Sequence, residues 1–154
     1  MSVEARLEEL GITLELGQPN TSKFIPVNQV GNLVFTSGQV CSKHGELVST
    51  GKVGSEVSIE QAQEAAKQSI IRCLSVIKDH IGDLDRIKKV VKLLGFVQSA
   101  DDFYDQPQVM NAASDLLKEI FGETGEPARS AIGVNALPYN ATVEIEMIVE
   151  IEYT

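Results

Sequence analysis

Tryptophan is absent, and aromatic residues make up only 5% of the chain. A surface that stacks nucleobases is therefore poorly stocked. Cysteine and histidine are nearly absent: Cys41, Cys73, His44 and His80 are all there are. Neither cysteine sits in a metal-binding arrangement, and a zinc site is not expected. Two distant cysteines without an export signal imply free thiols in a reducing, cytoplasmic setting. The opening residues, MSVEARLEELG, are acidic and amphipathic, whereas a secretory signal wants a basic start and an apolar core. No run approaches the ~20 apolar residues of a membrane helix, so no membrane partner is expected.

Positive charge is missing from one half. Residues 1–94 hold eleven basic and eleven acidic side chains, whereas residues 95–154 hold eleven acidic ones against only Lys118 and Arg129. The net charge of −9 therefore sits almost wholly in the second half, which repels phosphate and disfavours a nucleic-acid partner. The cluster Arg86, Lys88, Lys89 and Lys92 reads as a solvated strand start and edge rather than an RNA patch.

What is present suits one compact domain over residues 1–154, with 43% apolar and 23% charged residues. A short additional helix is expected over residues 2–10. Ser2 would cap it, Val3, Leu7 and Leu10 would share a face, and Gly11 would end it. Phe24–Val27 and Asn32–Ser37 bracket turn chemistry at Asn28–Gly31 and read as an antiparallel pair. Lys43-His44-Gly45 looks like another turn, before a weak strand at Glu46–Ser49. Ser58 and Gln61 form a capping box opening a long helix that Gly82 ends. Ile87–Val97 reads as a long strand, and a second main helix runs from Pro107 to about Phe121. Strands at Ala128–Val134 and Thr142–Tyr153 follow. In the last, Val143, Ile145, Met147, Val149 and Ile151 alternate with a polar face of Thr142, Glu144, Glu146, Ile148, Glu150 and Glu152.

This order predicts an α+β fold: one mixed sheet with the two main helices on a single face. Leu33-Val34-Phe35 and Val90–Val97 are apolar on both sides, which signals burial on both faces. A second copy of the chain is expected to cover the face the helices leave open.

Arg129 is the most informative residue. It lies on a predicted strand beside Ala131 and Gly133, whose small side chains would leave space over the guanidinium for bidentate capture of a carboxylate. The plainer reading is an ion pair with a glutamate on a neighbouring strand. Glu144 and Glu146 read as a solvated sheet face, unless one lies near Arg129 and orients a water. Asn111 lies inside the second main helix, where asparagine is mildly disfavoured. At Ser37-Gly38 the backbone can turn or approach a ligand closely. No GxSxG, phosphate loop, HExxH or dinucleotide motif occurs.

These residues resemble a known family. The stretch Pro127-Ala-Arg-Ser-Ala-Ile-Gly-Val-Asn-Ala-Leu-Pro138, followed by Val143-Glu-Ile-Glu146, is similar to the C-terminal signature of the Rid (RidA/YjgF) family. Asn32-Leu-Val-Phe-Thr-Ser-Gly-Gln39 resembles its N-terminal motif, and Phe96–Phe103 with Asn111 its middle. The likeness spans about residues 24–152, and the added N-terminal helix resembles a longer-chain subgroup. It implies a chorismate-mutase-like fold, a homotrimer with sites between subunits, and no cofactor or metal. It implies hydrolysis of reactive enamines and imines, such as 2-aminoacrylate, to a 2-oxo acid and ammonia. By position, Arg129 would bind the substrate carboxylate and Glu144 would position the water. Ser37, Gly38 and Asn111 would line the pocket, and the Ala131 backbone would contact the imine end. Two positions depart from the deaminating pattern: Val27 stands where a tyrosine is usual, and Ala131 where a cysteine is frequent. Two other readings stay open: a trimer that binds a small 2-oxo acid without turning it over, and the endoribonuclease or translation-inhibitor label of some family members.

Overall fold

The computed structural model describes residues 1–152. Helix α1 (Val3–Glu9) is capped by Ser2, whose hydroxyl accepts from the Ala5 amide at 3.1 Å. Val3 and Leu7 bury their side chains, but Leu10, expected on the same face, is 36% exposed. The Val3 amide donates to Asp85 Oδ1 at 2.7 Å, and Lys78 pairs with Glu4, so α1 is pinned to the body at both edges.

Strands β1 (Val27–Val30) and β2 (Leu33–Thr36) form a hairpin with Val30 opposite Leu33. The turn is Gly31-Asn32, and Gly31 has φ 59, which a two-residue hairpin of this hand requires at its first position. The strand expected at Phe24–Val27 therefore begins at its last residue. Pro26 offers no N–H to a ladder, and Phe24 and Ile25 are exposed. Short strands β3 (Gln39–Val40), β4 (Ser42–Lys43) and β5 (Glu46–Leu47) follow, and His44-Gly45 makes the turn between the last two.

Helix α2 (Ile59–Ile81) opens with the expected reciprocal cap: the Gln61 amide donates to Ser58 Oγ and the Ser58 amide to Gln61 Oε1. Such a cap contributes about 1 kcal/mol. Strand β6 (Ile87–Gln98) leads to α3 (Gln106–Phe121), in which Pro107 is the second residue. Strands β7 (Ala128–Val134) and β8 (Val143–Ile151) complete the fold. Tyr153, the expected end of the last strand, lies outside the described residues. Thr142, expected on the polar face, is fully buried and shares a hydrogen bond with Ser49 Oγ at 2.7 Å.

The main sheet runs β1-β2-β8-β6-β7, with β3 also on β8. Only β6–β7 is parallel, so the sheet is mixed. The first half of β6 pairs with β8 alone, because β7 joins from Lys92 onward. Lys88 and Lys89 stand exposed there, as a solvated edge requires. Helices α2 and α3 pack on one face, α2 over β8, whose odd-numbered residues Val143 to Ile151 are at most 2% exposed, and α3 over β7 and β6. This is the chorismate-mutase-like α+β arrangement.

The opposite face carries no helix. The ladders place Leu33, Phe35, Ile148, Leu94, Phe96 and Ile132 on it, among Glu144, Glu146 and Glu150. Ile132 is 43% exposed.

Candidate functional site

Arg129 faces the helices. It pairs with Leu93 on β6, and Leu93 in turn pairs with Met147; both are buried under the helices. Its Nη1 donates to Asn111 Oδ1 at 2.9 Å and to Ser114 Oγ at 3.1 Å. Asn111 and Ser114 stand one turn apart on α3 and so share a face. Among the described residues no carboxylate lies within 4.0 Å of Arg129. The ion pair with a strand glutamate therefore does not form. Two neutral acceptors hold one nitrogen, and the guanidinium's other N–H groups have no partner among the described residues.

The open space expected over Gly133 is closed. Gln106, at the start of α3, fills it: a Cβ on Gly133 would meet Gln106 Nε2 at 2.6 Å. That amide also donates to Phe103 O at 2.8 Å. Ala131 packs partly buried against the core. Arg129, Asn111 and Ala131 thus come together, and Ser114 joins them.

Ser37, Gly38 and Glu144 form a second group. Phe35 pairs with Ile148 and Gln39 with Ile145, so the β2–β3 side has one more residue than β8 over that span. This is a bulge, and bulges re-aim side chains. The Met147 amide donates instead to Thr36 Oγ1 at 3.0 Å, which satisfies a buried donor. Ser37 Oγ is committed to Ile25 O at 2.6 Å, and its amide to Pro26 O at 2.8 Å. At Gly38 the missing side chain leaves room for a carboxylate: a Cβ there would stand 2.7 Å from Glu144 Oε2. Burial, and then the charge of Glu146, raise the Glu144 pKa above the usual 4.5. A carboxyl group raised in this way is better suited to proton transfer near neutral pH.

The two groups stand on opposite faces of the sheet. Glu144 pairs with Phe96, as does Ile132 on β7, on the face without helices. Arg129 bonds to α3 on the other. One chain cannot close both around one small molecule.

Val27 is 7% exposed and faces the core, where it packs as an ordinary apolar side chain. Cys73 is also core, and burial pushes its thiol up to about 12. Among the described residues no group of three or more His, Cys, Asp or Glu side chains gathers as a metal set would. None of the described helices is long and apolar enough to cross a membrane.

A cavity of about 590 Å³ opens beside the second group, lined by Gly38, Gln39, Pro26 and Phe24, by the loop from Gly17 to Ser22, and by Arg72 and Asp79 of α2. Arg72 and Ser114 are additions that the sequence motifs do not mark. Ser114 was within reach, because it follows Asn111 by three residues on one helix; Arg72 offers no comparable signal.

Comparison with known proteins agrees with this architecture. Residues 4–151 match the family model described as "YjgF/chorismate_mutase-like, putative endoribonuclease". The chain is 37% identical over 150 residues to Protein TCP17 of Trypanosoma cruzi, covering 97% of this chain and 94% of that protein. It is 36% identical over 124 residues to a 2-iminobutanoate/2-iminopropanoate deaminase of Dermatophagoides farinae, covering 80% of this chain and 82% of that one. The crystal structure of Atu1372 from Agrobacterium tumefaciens, a protein of unknown function, superposes with a TM-score of 0.91 at 41% identity, over 99% of this chain and 94% of its own. That coverage takes in α1, so the longer N-terminus is shared. With the signature residues placed on this fold, the chain belongs to the YjgF/RidA (Rid) family.

Proposed function

We propose that this protein hydrolyses reactive imines and enamines of the 2-aminoacrylate type to a 2-oxo acid and ammonia, at sites formed between copies of the chain in a homotrimer. The observation that carries the reading is Arg129: a guanidinium held in place by two neutral acceptors and left without a counter-ion. Such a group suits the carboxylate that every 2-imino acid carries. The deaminase relative from Dermatophagoides farinae supports the same chemistry.

In this reading Arg129 of one copy clamps the carboxylate, and Glu144 of a neighbour holds the water. Water adds to the imine carbon and gives one proton to Glu144, which passes it to the nitrogen to form the neutral carbinolamine. The carbinolamine hydroxyl then gives its proton to Glu144, the C=O bond forms as the C–N bond breaks, and Glu144 hands that proton to the departing nitrogen, which leaves as ammonia. Overall one water is consumed, with no redox change. The substrate carbon is already electrophilic, so orientation and one acid–base group can supply most of the acceleration. The helix-free face, with Phe35, Leu94, Phe96 and Ile148 around Glu144, supports burial against another copy. The Ala131 backbone would meet the imine end, and no cofactor is called for.

The test is direct. A 2-imino acid is generated in situ and 2-oxo acid formation is followed. Acceleration over buffer, lost in Arg129→Ala, is the expected result. Binding of a 2-oxo acid with no acceleration would assign the site to binding alone.

A further inference from the structure

The cavity below the loop of residues 17–22 has one feature that the proposed reaction does not use. Arg72 lines it, makes no ion pair among the described residues, and has a buried Nε with no hydrogen-bond partner. An unpaired buried N–H is costly and uncommon in a folded protein. The other charged side chain in the lining, Asp79, is already engaged: both its oxygens accept from the Gly17 amide at 3.0 Å and hold the loop over the cavity. Arg72 is therefore the group left to meet a ligand.

The cavity reaches Gly38, and the Glu144 carboxylate occupies the place of the missing Gly38 side chain. Gly38 thus stands between the cavity that holds this free guanidinium and the proposed water-holding carboxylate, with no side chain of its own to separate them. The cavity's volume of about 590 Å³ lies within the usual range for small-molecule sites, roughly 300–1,000 Å³, and exceeds what a three- or four-carbon acid fills. We propose that Arg72 is a specificity residue that takes a second, distal carboxylate, so that the preferred substrate is a dicarboxylic 2-imino acid. The inference rests on the reading of Arg129 and Glu144 given above. A carboxylate matches a single guanidinium fork. A phosphate dianion would bring a further negative charge beside Asp79 with no second cation in the lining to meet it.

Calorimetric titration with 2-oxoglutarate and 2-oxobutyrate, the product-like acids with and without the distal group, tests this without relying on turnover. The intact protein is expected to bind 2-oxoglutarate at least tenfold more tightly. Arg72→Leu should bring that ratio to about one, and Arg72→Lys should restore part of it, with thermal melts confirming that both variants fold. Equal affinity for the two acids in the intact protein, or an unchanged ratio in Arg72→Leu, overturns the proposal. Arg129→Ala in the same titration separates the two readings. Loss of both acids supports the shared site. Dicarboxylate binding that survives Arg129→Ala but not Arg72→Leu keeps the Arg72 subsite and sinks the role of Arg129.

Discussion

Arg129 and Glu144 share a sheet but not a face: Arg129 bonds to α3, while Glu144 pairs with Phe96 on the side that no helix covers. Any chemistry that needs both belongs to an assembly rather than to a single chain.

Arg129→Ala removes the only charge in its group. The expected loss in kcat/KM for an imino acid is about tenfold to 150-fold, the equivalent of about 1.5–3 kcal/mol for hydrogen bonds to a charged group. Asn111→Ala should cost less, since Ser114 still holds the same nitrogen. The double variant Asn111→Ala/Ser114→Ala should approach Arg129→Ala. Steady-state kinetics checks the order, and an Arg129→Ala protein with normal kinetics would move the site elsewhere.

Gly38→Ala places a methyl group 2.7 Å from Glu144 Oε2. The atom it meets is the end of a flexible side chain, so the carboxylate swings aside and the fold survives. Activity should fall towards that of Glu144→Gln, while the melting temperature changes by only a few degrees, as expected for a change of ~1 kcal/mol or less. A fully active Gly38→Ala would show that the position of Glu144 does not matter.

The raised pKa of Glu144 gives a pH signature with a definite sign. The folded state holds this proton more tightly than the unfolded chain does. Stability from this group is therefore fully present below the unfolded value near 4.5 and is lost as pH rises through the higher folded value. Glu144→Gln should then melt higher than the parent at neutral pH and show no gain at pH 4. If Glu144 acts as the base, kcat/KM should fall on the acid side with a midpoint above 4.5. Melts across pH, together with a pH–rate profile, check both.

Phe96→Glu adds a further negative charge beside Glu144 and Glu146 on the helix-free face. Assembly should be lost, giving a folded monomer by sedimentation, and turnover should go with it. A monomeric variant that keeps full activity would contradict a site built between copies.

Much of this fold is legible in the residues. Ser58 and Gln61 announce the start of α2 because a reciprocal cap needs those two side chains three apart. The β7 range, Ala128–Val134, follows from its small and branched residues. Phe24–Val27 misleads because apolar side chains suggest a strand, whereas pairing depends on backbone donors that Pro26 cannot supply. Thr142 misleads in the other direction: alternation assigns it to the outer face, but its hydroxyl is bonded to Ser49.

At the site, alternation along β8 puts Glu144 on the polar face. The facing of Arg129 depends on the parallel register of β7 against β6, which no local pattern encodes. Ser114 is a helical neighbour of Asn111, but only the placement of β7 beneath α3 shows that both meet one guanidinium. Arg72 sits in an otherwise ordinary helix, and its meaning comes entirely from the loop that folds over it.

The extra residue between Thr36 and Gln39 sets a length rule for related chains. Deleting it would slide Gln39 and Val40 by one step and turn each through half a rotation, exchanging what points at Glu144 for what points at the helices. A chain that keeps the carboxylate in place must therefore keep this short connection at its full count and keep its second member small.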